Sequence, residues 1–334
     1  MNNEDNILIT GGLGFIGSHI VTSLSNSYKN IVLLDNLSNS KIQTFNKIRK
    51  LTNHNVNFIK TSINNSNLID NLFSQYKFKT VIHLAGFKAV GESWNLPGKY
   101  FYNNVLGSQL FFETIQKHNV QNLIFSSSAT VYGKPIFLPL RESHPIRAMN
   151  PYAQNKIDIE QLLIKDDFFL NKCSVKILRY FNPIGAHPSG LIGEDPPDIP
   201  NNLMPYILRV AKQQLKSINI FGNDYNTPDG TGVRDFIHIM DLVDGHLKAI
   251  SYEKKGISIF NLGTGKGFSV LNLIKTFENV NHLSVPYKIT ARRAGDVAMV
   301  YADVSKAESL LKFKAKRSLE AMCRDAWRFA QKSL

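Results

Sequence analysis

Short apolar runs alternate with longer stretches of helical period through the first half of the chain. Residues 7–9, 31–34, 56–59, 81–84, 123–125 and 175–178 are near-continuous apolar runs, the pattern of strands covered on both faces. Between them, residues 15–26, 40–52, 66–76, 97–118 and 151–170 carry helical periodicity. Alternation on this scale predicts an α/β fold built on a doubly wound parallel sheet of Rossmann type. After Phe181 the texture changes. Residues 182–205 are rich in Gly and Pro and aperiodic, too long for an idle connection, which predicts a binding loop. Helices are expected near 203–214, 241–250, 270–278 and after Ser318, with strands at 218–221 and 257–261. The expected division is a dinucleotide-binding domain over 1–181, rejoined by segments at about 235–265, and a smaller mixed α/β substrate domain over 182–334.

Composition narrows the partners. The 334 residues hold 43% hydrophobic and 19% charged side chains, ordinary globular values. No apolar stretch approaches the roughly 20 residues of a membrane helix, and the polar start before the first strand does not read as a signal peptide. Cys173 and Cys323 lie far apart, without metal or redox spacing, so buried free thiols, no metal and a cytoplasmic location are expected. The net charge of +13 is spread over scattered lysines and no basic run is interleaved with aromatics, which argues against nucleic acid. It would still favour a small polyanion such as a nucleotide diphosphate.

The chemistry begins with the TGGLGFIG stretch at 10–17, which leaves the first strand and opens the first helix. Gly12, Gly14 and Gly17 have the G-x-G-x-x-G spacing, and Gly11 precedes them. Glycine is needed there for a tight turn, for backbone approach to a pyrophosphate and for close helix–strand packing. Asp35 ends the second strand, where a carboxylate accepts bonds from ribose hydroxyls and disfavours a 2′-phosphate. The expected cofactor is therefore NAD, although Lys41 nearby could neutralise a phosphate.

Tyr152 and Lys156 stand four apart on a helix that Asn150 and Pro151 begin, so both face one way. A phenol that ordinarily titrates near 10 can serve as a base near neutral pH if a fixed ammonium favours its anion, and Lys156 is placed to supply one. Ser126, Ser127 and Ser128 end the fifth strand at the carboxyl edge, where such sheets bind ligands. Ser128 can share a substrate oxygen with Tyr152, and Ser126 can reach the nicotinamide amide. The set suits proton removal from a hydroxyl as hydride leaves its carbon.

On these motifs the chain resembles the extended short-chain dehydrogenase/reductases, and within them the UDP-glucose 4-epimerase family. The most specific stretches are DNLSNSK at 35–41, GFKAVGES at 86–93, FSSSATVYG at 125–133, LRYFNP at 178–183, NNLMP at 201–205, FGNDY at 221–225 and GTGVRDFIH at 230–238. The resemblance implies inversion of a UDP-hexose at C4 through a 4-keto sugar, with tightly held NAD, catalysed by Tyr152, Lys156 and Ser128. It assigns NAD contacts to Phe15, Ile16, Asp35, Asn36, Asn39, Ser40, Ser62, Ile63, Leu84, Ala85, Gly86, Lys88, Asn103, Ser126 and Tyr180, beside the glycine loop and the Tyr-Lys pair. It assigns the UDP-sugar to Lys88, Phe181, Asn182, Asn202, Leu203, Asn219, Phe221, Arg234, Arg293, Asp296 and Val300, with Ser128 and Tyr152. It further implies a homodimer joined by the helices at 97–118 and 151–170.

Two departures stand out. Ser62 replaces the family's usual Asp beside adenine. Aligning RAGDVAMVY at 293–301 places Val300 where several members specific for UDP-glucose and UDP-galactose carry a bulky Tyr. A smaller side chain there would admit a 2-acetamido group, giving activity on UDP-GlcNAc and UDP-GalNAc, unless Tyr301 fills the space after a one-residue shift. A dedicated UDP-GlcNAc 4-epimerase and a related nucleotide-sugar dehydratase are the alternatives.

Overall fold

The computed structural model describes residues 5–24, 28–52, 55–196, 200, 202–293 and 295–333. Ser25 and Asn26 of the first expected helix, Asn201 of NNLMP and Ala294 of RAGDVAMVY lie outside them.

The first half runs β1 (Asn6–Thr10), α1 (Phe15–Ser23), β2 (Asn30–Asp35), α2 (Ile42–Leu51), β3 (Val56–Lys60), α3 (Ser66–Tyr76), β4 (Thr80–His83), α4 (Val90–Asn95) and α5 (Pro97–Tyr100). A π-helical stretch, Phe101–Leu106, leads into α6 (Gly107–Lys117), then β5 (Asn122–Ser128), a 3₁₀ turn (Ala129–Tyr132), α7 (Pro151–Ile164), α8 (Asp167–Asn171) and β6 (Ser174–Tyr180). The second half runs β7 (Asn182–Ile184), α9 (Leu203–Ala211), β8 (Ile218–Phe221), β9 (Val233–Arg234), β10 (Phe236–His238), α10 (Ile239–Ile250) and β11 (Gly256–Leu262). It closes with β12 (Phe268–Ser269), α11 (Val270–Asn281), β13 (Tyr287–Thr290), β14 (Met299–Val300) and α12 (Leu319–Lys332).

Seven strands form one sheet in the order β11-β6-β5-β4-β1-β2-β3. β1 pairs in parallel with both β2 and β4, so the winding reverses at β1/β4, the place where open α/β sheets bind ligands. β1, β2 and β6 are buried almost end to end, which is why they read as unbroken apolar runs, whereas β3 at the sheet edge buries only Val56 and so departs from the expected full cover.

The chain divides into two compact units. One comprises residues 1–133, 146–179 and 246–260, the other 134–145, 180–245 and 261–334. The segment returning to the first unit is thus shorter than the 235–265 expected, and 134–145 groups with the second, because Leu140 exchanges backbone bonds with Tyr301 and Asp303. Each unit has its own core. The first packs Leu8, Val32, Phe73, Phe111, Phe125 and Ile177 about the sheet; the second packs Ile207, Ile220, Phe277, Met322 and Ala326 among α9, α11 and α12.

Of the two long helices expected from periodicity, one runs on with a π-helical stretch inside it and the other is interrupted. Over 97–118 the π-helical stretch widens the turn, and Asn104 exchanges two bonds with the backbone of Phe87, at 2.8 and 3.0 Å. Wide turns of this kind recur at functional sites. Over 151–170 the chain stops at Ile164 and restarts because Asp166 caps the N–H groups of Phe168 and Phe169. Helix α4 had no periodic signal strong enough to predict it. Among the described residues no helix is long and apolar enough to cross a membrane.

His83 ends β4 in full burial, its Nδ1 2.7 Å from Thr10 Oγ1 and its Nε2 3.0 Å from Ser108 Oγ. Burial, and then the charge of Lys156, push its pKa down to about 3. The unfolded chain protonates this imidazole near 6.5 and the folded one only near 3, so stability is complete above pH 6.5 and falls as the pH drops. Denaturant unfolding should lose about 2 kcal/mol through this group between pH 7 and 5. His83→Gln should flatten that slope; equal slopes in both proteins would refute the assignment.

Candidate active site

The turn after β1 is shaped by backbone contact. Gly11 has φ +68, and a Cβ there would lie 2.9 Å from Ala85 N; a Cβ on Gly17 would lie 2.5 Å from Gly11 O. Glycine is the residue that keeps both approaches open. Gly14 opens α1 without a side-chain cap, and the first intrahelical bond is Ser18 N–H to Gly14 O, at 3.0 Å. The N–H groups of Phe15, Ile16 and Gly17 therefore precede the helix ladder and point out of its end, the arrangement that receives a phosphate.

Asp35 is buried and accepts from Leu13 N–H at 3.1 Å, Leu37 N–H at 2.9 Å and Ser40 Oγ at 2.8 Å. It ties the glycine loop to the loop after β2, and a carboxylate has roughly one further lone-pair site to offer a ribose. Asn36 and Asn39 are exposed on that second loop, and Asn36 folds back on Ser38 N–H. Ser62 is half-buried with its hydroxyl on Asn64 N–H, and Ile63 is buried. Leu84 and Ala85 N–H both bind Thr10 Oγ1 at 3.2 Å, which seats the stretch through Gly86 against the glycine turn. Lys88 is exposed, and Asn103 bonds the Asn104 amide. The residues present fit a dinucleotide: three glycines that admit backbone-close phosphates, a free helix end and a strand-end carboxylate.

At the tip of β5, Lys156 Nζ donates to Ser126 O at 2.6 Å and lies 4.9 Å from the Phe125 ring centroid and 5.9 Å from that of Tyr152. The Ser128 hydroxyl bonds Tyr152 and also caps the 3₁₀ turn through Thr130 N–H. Asn150 caps α7 at Ala153 N–H, 2.8 Å, which fixes where that helix begins and so where Tyr152 stands. The expected effect of the lysine on the phenol does not appear in the chain alone. Burial pushes Tyr152 up to about 12, with Ser128 the partial offset, and pushes Lys156 down to about 8, with Glu160 opposing. Desolvation of both groups outweighs their attraction because the ammonium is turned onto a carbonyl.

The second unit holds a cavity of about 270 Å³. Asn182, Asn202, Leu203, Asn219, Phe221, Arg234, Arg293 and Asp296 all line it. The Arg293 guanidinium lies 3.8 Å over the Phe221 ring, and Arg234 reaches Asp296 at 3.3 Å. Two cations beside an aromatic plate suit a base carrying phosphates. Phe181 and Tyr180 are buried and Val300 is half-buried; none of the three lines this cavity. Val300 pairs with Arg234 in the β9–β14 ladder, whereas the Tyr301 ring lies against Gly267. Paired residues share a sheet face, so Val300 and not Tyr301 stands on the Arg234 side. Sequence reasoning missed Tyr206 and Tyr225 in the lining, as well as Arg292, which stacks on Tyr225 at 4.1 Å. The paired arginines at 292–293 were the visible signal.

Comparison with known proteins decides the family. The model described as GDP-mannose 4,6 dehydratase matches residues 8–326. The UDP-glucose 4-epimerase of Bacillus subtilis is 49% identical over 325 residues, 97% of this chain and 96% of that one. This chain belongs to the UDP-glucose 4-epimerase family of extended short-chain dehydrogenase/reductases. Among solved members, the Bifidobacterium longum enzyme in complex with NAD+ and UDP has a TM-score of 0.94 at 42% identity, with 98% of each chain covered. The Stenotrophomonas maltophila enzyme, with bound NAD and formylated UDP-arabinopyranose, has a TM-score of 0.93 at 41% identity, again with 98% of each chain covered. The family's fold and its seven-stranded sheet are those described above.

The buried phenol carries a direct check. In the absence of cofactor, the absorbance difference between the native protein and Tyr152→Phe should show one phenol ionising near pH 12. A midpoint at or below the ordinary 10 would mean that Lys156 governs it after all.

Proposed function

We propose that the protein is an NAD-dependent UDP-glucose 4-epimerase, inverting C4 of the hexose through a 4-keto sugar. The observation that carries this reading is the Tyr152–Ser128–Lys156 cluster at the carboxyl end of β5, in a sheet whose glycine turn fits a dinucleotide. NAD, when bound, supplies the hydride acceptor and donor. Tyr152 takes the proton of the 4-hydroxyl on its Oη and later returns one, while Ser128 holds the same oxygen. Lys156 supplies positive charge beside the phenol, and a cationic ring in the cofactor site adds to it; together they must overcome the burial that raises Tyr152. In the second unit, Phe221 stacks on the uracil, Arg234 and Arg293 grip the diphosphate, and Asn182 and Asn202 complete the contacts. A hold on the nucleotide and not on the hexose leaves the keto sugar able to present either face.

A dehydratase would need an acidic pair beside the catalytic serine; Ala129 and Thr130 follow Ser128 here, which favours epimerisation. Val300 on the Arg234 face is smaller than the tyrosine of several relatives, which supports turnover of UDP-GlcNAc and UDP-GalNAc too. The purified protein, given UDP-galactose without added NAD, should form UDP-glucose, and Tyr152→Phe should lose about a thousandfold in kcat with its dinucleotide retained. Surviving activity would remove Tyr152 as the base. Turnover of UDP-GalNAc within about tenfold of UDP-galactose supports the wider specificity, and a negligible rate ends it.

We further read the protein as a cytoplasmic homodimer, the buried unpaired Cys173 and Cys323 being at home in a reducing compartment. Trp94, Leu96, Phe101, Tyr102, Leu106 and Leu110 are all exposed along 94–110, an apolar strip that a partner would cover. Light scattering should give twice the 37.7 kDa chain mass, and Leu110→Glu should halve it; a monomeric native protein would exclude the dimer.

A further inference from the structure

Three consecutive residues at the end of β5 each engage one of three successive turns of α7. Ser128 bonds Tyr152, the Ser126 carbonyl receives Lys156 Nζ at 2.6 Å, and Ser127 Oγ donates to Glu160 Oε1 at 2.5 Å. Tyr152, Lys156 and Glu160 are spaced by four, so all three lie on the helix face turned to the strand. Glu160 has no exposed surface and Arg179 almost none. Arg179, on the neighbouring β6, clamps both carboxylate oxygens, Nε to Oε1 at 3.0 Å and Nη2 to Oε2 at 2.6 Å, and its guanidinium lies 4.9 Å from the Tyr132 ring centroid.

A buried ion pair seldom stabilises a fold more than apolar side chains of the same volume would, so its presence asks for another use. Lys156 is a second buried cation four residues away. The titratable groups that face it are Tyr152 and Glu160 from its own helix and His83 from β4. His83 is held neutral, so Glu160 is the one of the three that carries negative charge.

We propose that Glu160, locked between Arg179 and Ser127, is a positioning residue for the Tyr152–Lys156 pair: it pins α7 to the tip of β5 and keeps the Lys156 ammonium charged and seated on the Ser126 carbonyl. Its catalytic consequence rests on the functional reading above; its electrostatic consequence does not. Arg179 shares the device, since without it the carboxylate would be buried alone.

The test is Glu160→Gln, which keeps the shape of the side chain and removes its charge. In protein labelled with ¹⁵N-lysine, with the Lys156 signal assigned by its loss in Lys156→Met, the native ammonium should titrate near 8 and that of Glu160→Gln about one pH unit lower. With UDP-galactose, kcat per bound dinucleotide should fall about tenfold with KM within about threefold, and the alkaline limb of kcat should begin at lower pH. An unmoved lysine midpoint, or a kcat per bound dinucleotide equal to native, overturns the proposal. If Glu160→Gln does not fold, Ser127→Ala, which removes one peg and leaves the ion pair, should lower kcat severalfold at unchanged KM, and native kcat there overturns it too. A native protein inert on UDP-galactose would sink the functional reading instead, and the lysine titration would still decide this one.

Discussion

The seat of α7 on the tip of β5 is the contact on which the rest of the first unit's chemistry depends. A phenol and an ammonium are both withdrawn from water there, and each withdrawal is unfavourable for the charged form that chemistry requires. The protein meets this with fixed partners and not with solvent: a carbonyl for Lys156, a hydroxyl for Tyr152, and a clamped carboxylate one turn further along. Burial pushes the Tyr152 phenol up to about 12, so its ionised form needs positive charge close by.

The second unit solves a different problem by different means. Its cavity offers an aromatic plate and two guanidinium groups, Arg293 exposed and Arg234 half-buried, where water can solvate the charge. Arg293 is stacked on Phe221 and Arg234 is held by Asp296, so both guanidinium groups have fixed partners. Lys156 and Glu160 are thus buried, whereas Arg293 is exposed.

Most of the sheet was legible in the chain, and so were the motifs on which the proposed site rests. Buried parallel strands leave unbroken apolar runs, a glycine turn leaves a fixed spacing, and a tyrosine and lysine on one helix face leave an interval of four. The strand at Ile218–Phe221 and the helix at Ser66–Tyr76 fell where periodicity put them. The π-helical stretch at Phe101–Leu106 was hidden because one extra residue in a turn barely disturbs an apolar period, and the restart at Asp166 because a cap needs only one side chain. Glu160 was passed over for a similar reason: on a helix, a glutamate is ordinary until a buried arginine from another strand is found against it.

What the sequence by itself determined was the set of local requirements, namely where glycine is needed, which runs must be covered, and which side chains share a helix face. These follow from sterics and periodicity over a few residues. Only the tertiary structure decided the electrostatic state of the site. Whether Lys156 faces Tyr152 or a carbonyl, whether Glu160 is solvated or clamped, and whether Val300 or Tyr301 shares a face with Arg234 depend on strands and helices far apart in the chain. Burial and the distances between such elements set these charges, and no local pattern encodes them.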